Sequence, residues 1–399
     1  MKRTIVWCAL LLALAPLTGC WSRHELNELS IVVGLGIDKD GDKYKITAQI
    51  VNPGQVVVKK QAGSNVSPVI TYEETGVTVP EALRRMTVKL PRRLYFAHMR
   101  MVVIGEDVAR TGIGRPLDFI SRDMEMRNDF YLVVAKKASA SDVLKTFSSI
   151  DPIPANNMFT KLETSDELWA ATGKMTLVEL IDDLSTQGKS PTMTGVEIVG
   201  NRGDANRASS GQYIDPPVIL TYSGMAAFKF DRMVGWLNEN ETKALKYIQN
   251  SVSQSIGYVS CPHGDGNISM EVARARSHID VKVRGGVPVF DVSLRVEQNI
   301  SDIECDADLM DVSIIAKLKE ESDRKLKTMM EGAILKAQKQ FGADIFGFGD
   351  VLHSKSPKTW HSIKDWNKVF ENVEIRVHAD TILRRTGTTL QPVQQQIER

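Results

Sequence analysis

The side chains that most often carry catalysis or hold metal ions are sparse and scattered in this sequence. Its seven histidines form no His-x-x-x-His pair, and its four cysteines form no Cys-x-x-Cys pair. Cys261-Pro262-His263 could supply two metal ligands, but no second pair stands at the spacing of a zinc site. The 49 acidic residues offer many carboxylate pairs, and nothing in the sequence selects one of them. We therefore expect neither a metal centre nor catalytic residues.

The glycine-rich segments also lack the arrangement that binds nucleotides. Gly34-Leu35-Gly36 lies inside a strand pattern, and the further glycine of a dinucleotide fingerprint is missing after it. Gly342, Gly347 and Gly349 follow a long helical pattern and are typical of a helix end. The sequence contains no Gly-x-Ser-x-Gly elbow and no phosphate-binding loop with Lys-Ser/Thr. We therefore expect no cofactor.

The first twenty residues have the pattern of an exported lipoprotein. Lys2 and Arg3 precede an apolar run at residues 5–17, which is shorter than the roughly 20 residues of a membrane-spanning helix. The run ends in Leu17-Thr18-Gly19-Cys20, which resembles the lipobox of bacterial lipoproteins. In that class, residues 1–19 are removed as a signal peptide and the Cys20 thiol carries a diacylglyceryl group. The alternative is ordinary secretion, with Cys20 an incidental thiol.

Two further cysteines lie in the C-terminal part of the chain. A lipid-anchored protein faces the outside, where thiols can oxidise. One hypothesis is that Cys261 and Cys305 form a disulfide between the start of a strand meander and the segment before a long helix. The alternative is two separate buried thiols.

Basic residues are concentrated in one segment. No acidic residue occurs between Glu81 and Glu106, a stretch that contains six cations. One interpretation is a solvated basic face. The other is a contact with anionic lipid headgroups or with an acidic partner surface. The arginines singled out for such a contact are Arg84, Arg85, Arg92, Arg93 and Arg100.

Length and composition exclude several classes of protein. The 399 residues predict two or three domains, and 42% hydrophobic with 25% charged residues is ordinary globular composition. A formal net charge of +1 argues against bulk electrostatic binding to nucleic acid. After the signal peptide we expect an N-terminal α/β domain at 20–199 and a linker at 200–222. A C-terminal α+β domain at 223–399 follows, with subdomains at about 223–305 and 306–387.

The local patterns predict a mixed α+β fold of several small, mostly antiparallel sheet-and-helix domains. A hairpin is expected at 30–51 and strands at 99–104, 129–135, 225–230 and 233–236. In the C-terminal part, strands are expected at 268–273, 278–284, 287–300 and 373–381. Helices are expected at 80–89, 176–187 (with Thr176 as N-cap), 240–249, 312–341 and 359–370.

Three blocks of residues, in this order after the lipobox, resemble one known family. The first contains Cys20-Trp21, Glu25-Leu26-Asn27-Glu28-Leu29, Ile31-Val32-Val33-Gly34-Leu35-Gly36-Ile37-Asp38 and Gln49-Ile50-Val51-Asn52-Pro53. The second runs from Gly224-Met225-Ala226-Ala227-Phe228-Lys229 through Gly235-Trp236-Leu237-Asn238-Glu239 to Glu241-Thr242. The third has His353, Pro357-Lys358, Trp360, Trp366 and Arg384-Arg385-Thr386-Gly387. Together they resemble the Ger(x)C family, the lipoprotein C subunits of spore germinant receptors.

The resemblance implies a non-enzymatic receptor subunit. Its lipid anchor would lie on the outer face of the cell membrane, which in a dormant spore is the inner membrane. The resemblance also implies two integral membrane partners, the A- and B-type subunits, which assemble with the lipoprotein to respond to small nutrients. The resemblance assigns a role to one residue of this chain, Cys20, as the lipidated cysteine. Two alternatives stay open: a lipoprotein that itself binds a small nutrient in a cleft near residues 200–217, and an anchored envelope hydrolase.

Overall fold

The structure is a computed structural model that describes residues 26–52, 67–123, 125–148, 150–201, 203, 205 and 214–385. Within these ranges the chain forms two β-sheets and eleven α-helices, so the predicted mixed α+β class is confirmed. The predicted signal peptide, Cys20 and the residues after Arg385 lie outside the described residues.

The first sheet contains nine strands. They are β1 (Leu29–Asp40), β2 (Lys43–Val51), β3 (Val69–Gly76), β4 (Arg93–Tyr95), β5 (Met101–Gly105), β6 (Tyr131–Ala135), β7 (Thr192–Gly200), β8 (Val218–Lys229) and β9 (Arg232–Leu237). Their order across the sheet is β3-β2-β1-β5-β6-β7-β8-β9, and β4 pairs only with the first residues of β1.

This sheet is antiparallel at both ends and parallel in its centre. β1 and β2 form the predicted hairpin, in which Gly41 takes the left-handed conformation (φ 58°) that a tight turn requires. β1, β5, β6 and β7 run parallel to one another. All five residues of β5 are buried, as expected for a parallel strand with helices on both faces.

Six helices cover the two faces of the first sheet. They are α1 (Val79–Met86), α2 (Glu106–Thr111), α3 (Gly114–Arg122), α4 (Ala140–Lys145), α5 (Pro154–Leu168) and α6 (Leu177–Ser185). On one face, α1, α2, α3 and α6 bury a core that includes Met86, Val108, Ile120 and Leu180. On the other face, α4 and α5 bury a second core with Leu144 and Met158. The predicted N-cap is confirmed, because Thr176 and Glu179 form a capping box at the start of α6.

The second sheet has four strands, β10 (Ser255–Ser260), β11 (Asn267–Arg284), β12 (Val287–Ile303) and β13 (Glu374–Arg385), in that order. The first three are antiparallel, and β13 returns parallel to β12. β11 is one strand, whereas the sequence predicted two at 268–273 and 278–284. A register shift between Val272 and Arg274 changes which alternate residues face the core.

Five helices pack with the second sheet. They are α7 (Glu239–Ile248), α8 (Val312–Lys336), α9 (Phe348–Lys355), α10 (Pro357–Ser362) and α11 (Trp366–Phe370). α8 continues into a π-helical turn (Ala337–Phe341) that ends at Gly342 with φ 57°. The helix predicted at 359–370 is two helices. Extended backbone at Ile363 and Asp365 separates them, and Asp365 caps the second.

The junction between the halves differs from the linker predicted at 200–222. Residues 218–222 are the start of β8, which pairs with β7, and residues 206–213 lie outside the described residues. The first sheet therefore extends to Leu237, into the predicted C-terminal domain. Within β8, Ala226 and Phe228 face the core of the first sheet, whereas Met225 and Ala227 face the core of the second.

Candidate functional site

The structure divides the basic segment between the two faces of the first sheet. Arg84 and Arg85 are exposed on α1, and Arg92 and Arg93 are exposed just after it. Arg100 is also exposed, but its guanidinium lies 4.9 Å from the centre of the Phe159 ring on α5, at the opposite face. A single patch of five arginines is therefore not formed.

Arg92 and Arg93 lie near the first described residues of the chain, and Arg84 and Arg85 lie before this segment, in the last turn of α1. β1 and β4 run parallel, with Leu29 opposite Arg93. A surface depression of about 590 Å³ opens beside them, lined by Asn27, Glu28, Thr87, Leu90, Pro91, Arg92 and Arg93. We call this surface, residues 27–28 and 84–93, the basic edge.

Most of the charge on the basic edge is locally balanced. Three cations have acidic partners: Arg85 with Glu81 (2.7 Å), Lys89 with Glu74 (2.8 Å) and Arg93 with Glu125. Within the described part of the chain, Arg84 and Arg92 have no ion-pair partner. Exposed ion pairs contribute only about 0–1 kcal/mol to stability, so these pairs can rearrange at low cost. Val88, between the two unpaired arginines in sequence, is 89% exposed.

A second group of polar side chains holds α5 against α7. Lys246 donates to the Asp166 carboxylate at 2.5 Å, and the two side chains are only 9% and 13% exposed. The Lys243 ammonium lies 3.4 Å from the centre of the Trp169 ring, and burial lowers the pKa of Lys243. These contacts join the layer on the first sheet to the helix that opens the C-terminal part. Their role is to fix the two parts together.

A buried carboxylate organises the segment between α8 and α9. Asp344 accepts four N–H bonds: from the backbone of Phe346 (3.1 Å), Gly347 (2.9 Å) and Gly349 (2.8 Å) and from the indole of Trp366 (2.9 Å). Its backbone carbonyl accepts from the Ser190 N–H at 2.7 Å, which joins it to the segment before β7. Burial raises the pKa of Asp344 to about 6, against the lowering effect of these donors.

Replacing Asp344 with asparagine is expected to cost about 3 kcal/mol of unfolding free energy, because an amide turns its own N–H groups toward two of the buried donors. The folded pKa of about 6 lies above the ordinary value of 3.8. The free energy of unfolding of the wild type therefore falls as pH rises from about 4 to about 6, because the buried Asp344 has to ionise. The asparagine variant has no carboxyl group at this position and is expected to lack this fall. Urea unfolding across this pH range tests both effects. Asp302→Asn, at an exposed position, is the matched control; equal midpoints for the two variants at neutral pH would contradict the role of Asp344.

A cleft of about 360 Å³ lies between the α6–β7 connection and α10–α11. It is lined by Asp183, Lys189, Phe230, Trp360, Trp366 and eleven further residues. Asp183 and Lys189 bind each other at 2.6 Å, and burial raises the pKa of Asp183 while Lys189 lowers it. The cleft that the solute-binding alternative predicted near residues 200–217 falls largely outside the described residues, and the present cleft is a different one. Because its buried acids already bind partners within the protein, they are poorly placed to bind a ligand.

Cys261 and Cys305 are brought together by the second sheet. Their sulfurs are 1.98 Å apart and their Cα atoms 6.3 Å apart, the geometry of a disulfide. Cys305 belongs to a small core formed by the end of β10, the start of β11, the end of β12 and the start of α8, and Cys261 packs against it. Of the two hypotheses from the sequence, a disulfide or two separate buried thiols, the structure contains the disulfide.

Two general properties of the described residues bear on function. None of their helices is long and apolar enough to cross a membrane. The same residues contain no group of three or more His, Cys, Asp or Glu side chains arranged to hold a metal ion.

The fold and these contacts define a two-sheet α+β protein whose buried polar groups hold its own parts together. The chain belongs to a family of spore germination proteins. Residues 22–198 match the family described as "Spore germination protein N-terminal domain", and residues 223–387 match "Spore germination B3/GerAC like, C-terminal". The family resemblance read from the sequence is thus confirmed.

Curated relatives cover the whole chain. It is 29% identical to Spore germination protein KC of Bacillus subtilis (strain 168), over all of this chain and 99% of that protein. It is 22% identical to Spore germination protein B3 of the same organism, over 97% of this chain and 99% of that protein. The crystal structure of the GerBC protein is similar in fold, with a TM-score of 0.54 at 19% identity. The match covers 88% of this chain and 96% of GerBC.

Proposed function

We propose that this chain is a lipid-anchored, non-enzymatic subunit of a nutrient germinant receptor, required for spore germination. Its two halves match the two family descriptions, and relatives named as spore germination proteins align over nearly their full length. This end-to-end similarity is the observation that carries the proposal.

The anchor in this proposal is Cys20, acylated on the outer face of the cell membrane. The first described residue, Leu26, is six residues further on. A fully extended chain spans at most about 3.6 Å per residue, so Cys20 lies within about 22 Å of Leu26. Lipidation of Cys20 would therefore hold the first sheet close to the bilayer.

Tethering is the proposed mechanism of assembly. Confinement to a thin layer at the membrane raises the effective concentration of this chain near membrane partners, so that weak contacts suffice for docking. The partners would be the A- and B-type integral membrane subunits of the receptor. The protein itself performs no chemical step in this scheme.

Purification of the lipidated chain from detergent-solubilised spore membranes tests the proposal. We expect two polytopic membrane proteins to purify with it in constant ratio. An unrelated lipoprotein of the same membrane, purified with the same affinity tag, controls for detergent carry-over. Recovery of the intact lipidated chain without any polytopic protein would contradict the docking function.

A further inference from the structure

The basic edge lies where the chain emerges toward its proposed anchor. Asn27 and Glu28 line the same depression as Arg92 and Arg93, and β4 pairs with the first three residues of β1. Asn27, the first residue of this surface, is seven residues from Cys20, so an acylated Cys20 lies within about 25 Å of it. If Cys20 is in the bilayer, the basic edge is among the surfaces that can reach the headgroups.

The composition of the basic edge fits an anionic bilayer surface. From residue 84 to residue 93, every residue except Met86 and Leu90 is exposed. Arg84 and Arg92 have no ion-pair partner within the described ranges, and a guanidinium binds phosphate oxygens through two parallel N–H groups. Val88, four residues from each of them in sequence, is almost fully exposed, and it could enter the interface between headgroups and acyl chains.

We propose that the basic edge rests on anionic phospholipid headgroups, with Arg84 and Arg92 on phosphates and Val88 at the interface. This inference rests on the proposed lipid anchor. The anchor supplies the membrane affinity, and the basic edge sets the orientation in which the rest of the protein faces its partners. Each arginine near an anionic surface favours this orientation by about fivefold, so the two together favour it by about 30-fold.

A fluorophore on residue 88 tests the orientation in the full lipidated protein. Of the four cysteines, Cys8 leaves with the signal peptide, Cys20 is acylated in this proposal, and the other two are bonded to each other. Val88→Cys therefore introduces the one reactive thiol. Val287→Cys, at the 58% exposed first residue of β12, is the matched control. Quenching by headgroup-labelled lipid is measured in vesicles of phosphatidylcholine, with and without one third phosphatidylglycerol.

We expect the residue-88 label to be quenched severalfold more strongly than the residue-287 label in the anionic vesicles. Neutral lipid, or Arg84→Glu with Arg92→Glu, is expected to remove this difference. Arg274→Glu with Arg276→Glu, which changes the net charge equally at exposed positions of the second sheet, is expected to preserve it.

Equal quenching at the two positions would overturn the inference, and so would quenching at residue 88 that is insensitive to charge. Protection of residue 88 only when integral receptor subunits are present would assign the basic edge to an acidic protein surface instead. In each of these cases the protein still floats with the vesicles, so the proposed anchor survives. Failure to float would overturn the anchor and this orientation together.

Discussion

Replacing Cys20 with alanine is expected to move the protein from the membrane fraction to the soluble fraction. Each buried methylene of an acyl chain contributes about 0.8 kcal/mol, and a single chain holds a protein only marginally. Two or three chains on one cysteine hold it essentially permanently. Fractionation after a carbonate wash, which removes peripheral proteins, measures the effect.

Cys8→Ala is the matched control, because Cys8 lies inside the predicted signal peptide and is expected to have no role in the mature protein. That variant is expected to stay with the membrane. Retention of the Cys20→Ala protein after the wash would contradict the lipid anchor, and with it the tethering mechanism.

Loss of the Cys261–Cys305 bridge is expected to lower the free energy of unfolding by about 4 kcal/mol. The bridge joins residues 44 positions apart, and closing a loop of this length reduces the entropy of the unfolded chain by roughly that amount. Cys305 is also one of the nine buried residues of a small core, and Cys261 packs against that core. Denaturant unfolding of the Cys261→Ser/Cys305→Ser variant measures the loss.

The wild type in reductant is expected to match this double variant, whereas reductant is expected to leave the variant unchanged. Titration of thiols in a denatured, non-reduced sample supplies an independent check. Two reactive thiols from Cys261 and Cys305 would contradict the bridge. They would favour the alternative hypothesis of two separate buried cysteines.

The elements with a clear local pattern could be predicted from the sequence. The β1–β2 hairpin has alternating apolar residues around a glycine turn, and α6 has both residues of its capping box. In β11 the pattern is broken, because after the bulge at Val272 the residues that pack against the core are the partly buried Ala275, Ile279 and Val281. When the alternation of apolar and polar residues shifts by one position within a strand, the sequence pattern resembles two strands with a gap between them.

Other elements carry too weak a pattern. α5 buries only Pro154, Ala155, Met158 and Leu162 among its fifteen residues, so its apolar face is thin. In β7, buried Thr194 exchanges hydrogen bonds with the backbone of Gly173, a contact that depends on the folded chain. β10 has mostly exposed residues and is defined by its pairing with β11.

The candidate site shows the same limit. The run of cations between Glu81 and Glu106 is visible in the sequence, but sequence distance does not show that Arg100 faces the opposite side of the sheet. The acidic partners of Arg85, Lys89 and Arg93 are also set by the fold. Among the residues that the structure describes, Arg84 and Arg92 are left without an ion-pair partner. The structural role of Asp344 is only weakly indicated by the sequence. Asp344 is an acidic residue among apolar residues and glycines that follow a long helical pattern.

Mass spectrometry of the mature N-terminus, on protein extracted from membranes, tests the central claim most directly. A tethered receptor subunit requires a chain that begins at Cys20 and carries a diacylglyceryl group on its sulfur. A mature chain that begins elsewhere, or a Cys20 without acyl groups, would contradict it.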